Sequence, residues 1–99
     1  MKNKDYKKSI EKSIDNYGQT QLLIACEEMG ELIQAISKME RAISSKEDRK
    51  KCKEHITEEI ADVMIVLDEL MLYYNISESA VKKVKNEKKV RLQKRTKHM

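Results

Sequence analysis

Ile56, Ile60, Val63, Leu67, Leu70 and Tyr74 follow one another at steps of three or four, and Met64 and Met71 widen the same seam. That period belongs to a helix, and it overrides the strand that the Ile/Val-rich run 63–67 would suggest in isolation. The spacing predicts a helix from about Lys46 or Asp48 to Tyr74. A second seam of Leu22, Cys26, Met29, Ile33, Ile36 and Ile43 predicts another from about Thr20 to Ile43. The chain contains no proline, two glycines and four aromatic residues, all tyrosine. Such a composition favours helices and is poor material for a sheet.

Two shorter helices flank these. Tyr6, Ile10, Ile14 and Tyr17 give residues 4–17 a narrow apolar face, and Gly18 is placed to stop that helix. Ser45 with Asp48 resembles a capping box for the third helix. Asn75 ends it, and Ser77 opens a last helix reaching about Val90, after which the apolar pattern stops and fraying is expected. The expected fold is an all-α bundle of two long and two shorter helices. In a chain of 99 residues two wide apolar faces need more cover than short flanking helices provide, so dimerisation should complete the bundle. Residues 1–90 form the domain and 91–99 a basic tail.

The net charge of +4 is unevenly spread. Residues 82–97 hold nine Lys/Arg and one Glu, giving +8, so the remainder sums to −4. Cys26 and Cys52 have no metal-like spacing, and Cys26, on the apolar seam, reads as a small core residue. Residues 1–12 lack the apolar run of a signal peptide, and the apolar stretch 63–74 is broken by Asp68 and Glu69. A cytoplasmic protein without a membrane segment is expected.

Acidic residues interrupt the long helices in a repeated way. Glu28 and Glu31 lie three apart at the border of one apolar face, and Glu59 and Asp62 lie three apart at the border of the other. No Lys or Arg occurs within 24–35 or 56–74 to neutralise them locally. Two such helices side by side would bring four like charges into a small volume, which a divalent cation would relieve. A di-iron bundle would require Glu-x-x-His, and His55 precedes Glu59 by four without completing that motif. Zinc prefers His or Cys, whereas an all-carboxylate set suits Mg²⁺, with Mn²⁺ as a substitute. Such ions commonly meet substrate phosphates. Gly30, inside the second helix at a cost of about 1 kcal/mol relative to Ala, suggests close approach of a helix or ligand.

Glu27-Glu28-Met29-Gly30-Glu31 and Glu59-Ile60-Ala61-Asp62 together resemble the EExxE…ExxD signature of MazG-type nucleoside triphosphate pyrophosphohydrolases, of the all-α NTP pyrophosphatase superfamily. The resemblance covers about residues 17–90, including Tyr17-Gly18-Gln19. It implies a helical homodimer or homotetramer that hydrolyses an NTP or dNTP between the α and β phosphates, releasing pyrophosphate. Glu28, Glu31, Glu59 and Asp62 would then be Mg²⁺ ligands, Glu27 would hold a further metal or orient water, and Lys82 and Asn86 would reach the phosphates. The Arg and Pro that close the family's downstream motif are not cleanly present. A phosphoribosyl-ATP or dUTP hydrolase is the variant reading within this fold. The competing class is a basic-tailed helical module that binds nucleic acid or assembles without catalysis. The acidic central helices and the absence of aromatics from 82–99 argue against nucleic acid.

Overall fold

The computed structural model describes residues 3–41 and 46–99. They form α1 (Lys4–Tyr17), α2 (Thr20–Arg41), α3 (Lys46–Tyr73) and α4 (Glu78–Thr96), and no strand occurs among the described residues. The fold is all-α, as the spacing predicts. Ile43 and the Ser45 cap fall outside the described residues.

The boundaries have local causes. Asn3 caps α1 by accepting hydrogen bonds from the backbone N–H groups of Asp5 and Tyr6. Gly18 ends it with φ +51°, a conformation that suits glycine, and its N–H donates to the Ile14 carbonyl at 2.7 Å. Asn75, at φ +55°, stops α3, and the Ile76 N–H reaches back to the Met71 carbonyl at 2.8 Å. Ser77 then caps α4 by accepting from the Ala80 N–H. Helix α4 continues to Thr96, beyond the expected end near Val90. Lys, Arg, Leu and Gln are good helix formers, so intrinsic propensity sustains the helix where apolar periodicity does not.

Helices α2 and α3 pack along most of their length as an antiparallel hairpin. Gln21 of α2 meets Glu69 of α3, Glu28 meets Glu59 and Asp62, and Arg41 lies with Cys52 and His55. Helix α1 lies across both. Ile10 supplies its buried apolar anchor, and two polar ties hold it. Tyr6 donates to Asp68 Oδ2 at 2.7 Å, while Ser13 donates to Gln21 Oε1 and the Gln21 amide donates in turn to Glu69. The buried Gln21 is thus satisfied at both ends of its amide.

The inward faces differ from the expected seams. On α2 the buried residues are Gln21, Ala25 and Ala35, with Glu28, Leu32 and Met39 half-buried along the same side. Ile33 and Ile36 of the expected seam are exposed, Ile33 by 68%. Cys26 is exposed too, so it is no core residue. On α3 the inward stripe contains Ile56, Glu59, Val63, Val66 and Leu70, while Ile60, Met64, Leu67 and Tyr74 face outward. The helices therefore meet along the stripe that carries the acids. A second apolar stripe on each is left uncovered. Gly30 is not explained by packing within the chain, for a Cβ added there would meet open space.

Helix α4 buries no residue at all. Its exposure and the open stripes give the chain 8379 Å² of accessible surface, where a compact monomer of this mass has about 5,800 Å². The radius of gyration is 17.0 Å, against roughly 13 Å for a compact domain of this length. Among the described residues no helix is long and apolar enough to cross a membrane.

Candidate metal centre

The α2–α3 contact brings one carboxylate oxygen from each of Glu28, Glu59 and Asp62 within 4.8 Å of one another. Glu28 enters from α2, and Glu59 and Asp62 enter from successive positions three apart on α3. The antiparallel pairing makes them neighbours although 31 residues separate Glu28 from Glu59 in the chain.

Their environments differ. Glu59 is 8% exposed, Glu28 is half-buried and Asp62 is at the surface. One oxygen of Glu59, Oε1, lies 3.2 Å from His55 Nε2, one turn earlier on α3. The other, Oε2, is buried without a hydrogen-bond partner, and so is Glu28 Oε2. A buried carboxylate oxygen lacking a partner is costly. Burial holds the Glu28 carboxyl above the usual range for a glutamate, and the negative charges of Glu31, Asp62, Glu59 and Glu27 push it the same way. The cluster thus concentrates negative charge, exposes one edge to solvent and leaves two oxygens unused. Oxygen donors of this kind fit a hard divalent cation.

Glu31 and Glu27 are exposed and lie outside the trio, close enough that their charges act on Glu28. Lys82 and Asn86 are elsewhere. They line a groove with Asp68 and Met71 near the α3–α4 junction, and none of the three clustered acids borders it. His55 is the site residue to which the sequence reading assigned no role. Its signal was the i, i+4 spacing to Glu59, visible in the sequence but carrying little weight without the knowledge that Glu59 is buried.

Comparison with protein-family models finds no match for this chain, and comparisons with curated proteins and with solved structures find none either. What stands is an all-α fold, with four helices and one acidic cluster among the described residues.

Proposed function

We propose that the chain is a Mg²⁺-dependent nucleoside triphosphate pyrophosphohydrolase of the MazG-like, all-α kind, releasing a monophosphate and pyrophosphate. The observation that carries this reading is the buried Glu59 carboxylate. It has an oxygen without a partner, as does Glu28, and the two residues gather with Asp62 so that one carboxylate oxygen from each lies within 4.8 Å of the others. Glu28, Glu59 and Asp62 would hold the ion, and Glu31 would approach it from the solvent side. Such an ion supplies Lewis-acid polarisation of a phosphoryl group and a more acidic water.

The chain's own residues provide the rest. His55 steadies Glu59 through Oε1, leaving Oε2 without a partner. Glu27, exposed and adjacent, orients the attacking water or takes its proton. The oxygen of that water replaces the bridging oxygen at the α phosphorus, and pyrophosphate leaves.

A homodimer belongs to the same proposal. The chain exposes about 2,500 Å² more than a compact monomer of its mass, about 5,000 Å² over two copies, at the upper end of the roughly 2,000–5,000 Å² that stable obligate interfaces bury in total. A second copy laid over the stripe of Ile60, Met64 and Leu67 would cover that excess. It would also let an α4 without buried residues extend across its neighbour, bringing Lys82 and Asn86 to the other copy's acids. The specific observation favouring the nucleic-acid reading is the hollow lined by Lys88, Arg91, Lys94 and Arg95 on α4. It predicts duplex binding that weakens steeply with salt.

Mg²⁺-dependent release of pyrophosphate across a panel of canonical and modified NTPs and dNTPs tests the enzyme reading. Turnover is expected in the wild type and is lost in Asp62→Asn with helical content retained. Full turnover in Asp62→Asn, or none in the wild type with any nucleotide, refutes it.

A further inference from the structure

A cavity at the other end of the hairpin from α1 has a volume of about 620 Å³, inside the ~300–1,000 Å³ range of small-molecule sites. Lys38 and Arg41 border it from α2, and Asp48, Lys51, Cys52 and His55 from α3. Lys38 and Arg41 are three apart and share a face, as do Lys51 and His55 four apart, so the cationic groups converge from two helices. Among the described residues no carboxylate forms an ion pair with Lys38, Arg41 or Lys51. Asp48, the one acid on the wall, already has a partner of its own. The Arg41 Nε–H donates to the Ser37 carbonyl at 3.3 Å, which steadies the base of that side chain and leaves its terminal nitrogens for a ligand.

None of the three clustered acids borders this cavity, but one residue links the two. His55 forms part of its wall and also touches Glu59, itself one of the three clustered acids. Along α3 the order is Lys51, His55, Glu59, each one turn after the last. His55 is thus the side chain that touches both the basic cavity and the acidic cluster. Lysine and arginine recognise phosphate oxygens through charge-assisted hydrogen bonds, arginine in a bidentate manner.

We infer that the cavity bounded by Lys38, Arg41, Lys51 and His55 is an oxyanion site for pyrophosphate, the product of the reaction proposed at the acidic cluster. The inference rests on the function proposed above for that cluster, and it adds a phosphate site within the same protomer, distinct from Lys82 and Asn86. All three cationic side chains are exposed, so their removal leaves the helices intact.

The test is calorimetric titration of inorganic pyrophosphate into the full chain in EDTA at low ionic strength. Wild type, the double variant Arg41→Ala/Lys51→Ala, Lys94→Ala/Arg95→Ala and Asp62→Asn are compared, with circular dichroism confirming equal helicity. Binding is expected in the wild type, weakened at least about tenfold in Arg41→Ala/Lys51→Ala. It should be unchanged in Lys94→Ala/Arg95→Ala. Asp62→Asn should bind at least as well as wild type, because a nearby negative charge has been removed. Absence of binding in the wild type, a requirement for Mg²⁺, loss in Asp62→Asn, or weakening that follows the Lys94/Arg95 pair each overturns the inference. A separate Mn²⁺ titration of wild type and Asp62→Asn scores the metal centre, so failure of that reading is seen independently of the pyrophosphate result.

Discussion

The hairpin of α2 and α3 and the projecting α4 handle charge in opposite ways. In the hairpin, acids are drawn into the packed stripe, where Glu59 is nearly buried and two carboxylate oxygens go without partners. In α4 the cations are all in solvent and no residue is buried. Charge that costs little where it stands needs no explanation beyond solubility. Charge kept where desolvation penalises it requires a compensating ligand or partner, and that asymmetry is why the acidic cluster carries the functional reading and the more conspicuous basic helix does not.

The comparison is broken most severely by neutralising a cluster acid. Glu59→Gln should abolish Mg²⁺-dependent pyrophosphate release, while Lys94→Ala/Arg95→Ala, two charges removed from α4, should leave it intact. Phosphate-release kinetics on both proteins check the contrast. Next in size is assembly. Ile33→Glu/Met64→Glu places charge on the two open apolar stripes and should convert a dimer to monomer at micromolar concentration, as read by sedimentation velocity; an unchanged sedimentation coefficient would show that these stripes are not the interface. Smaller again is the cost of crowding the acids. In EDTA, Glu28→Gln should melt a few degrees above wild type, because it removes a partly buried charge repelled by Glu31, Asp62 and Glu59. With Mg²⁺ added the order should reverse, since only the wild type gains from the ion.

The smallest effect concerns the tie between α1 and α3. Partial burial, then the hydrogen bond to Asp68 and the charges of Asp68 and Glu69, push the Tyr6 phenol from 10.0 up to about 12. The folded state thus holds this proton more tightly than the unfolded chain does. The resulting stability persists below pH 10 and is lost as pH climbs through about 12. Tyr6→Phe should lower stability by about 1 kcal/mol at neutral pH and remove the last tyrosinate step in an absorbance titration at 295 nm. A titration curve identical but for one ordinary step would show that the Asp68 contact is not maintained in solution.

Much of this architecture is legible from residue order. Helix type follows from the period of three and four, and the stops at Gly18 and Asn75 from the backbone freedom of those residues. The convergence of Glu28 with Glu59 and Asp62 follows from matched spacing on two helices. Which stripe turns inward is not legible, because α2 and α3 each carry two adjacent stripes able to pack. Ala25 and Ala35, though less hydrophobic than Ile33 and Ile36, occupy the inner line, where small side chains permit close approach. The more apolar stripe is left outside. Spacing alone reports that a face is apolar and says nothing about whose surface will cover it. The basic cavity was equally hidden, since Arg41 and Lys51 become neighbours only when the hairpin closes.

Gln21 precedes Glu28 by seven residues, and Glu69 follows Asp62 by seven. The amide bridge and the acid cluster are thus two rungs of one ladder, spaced alike on both rails. Sliding α2 along α3 by a single turn would displace the rungs by about 5.4 Å, more than the 4.8 Å within which the three carboxylates gather. The Ser13–Gln21–Glu69 relay therefore acts as a locating pin. Away from the acidic cluster, it adds a polar constraint to the packing that lines the acids up.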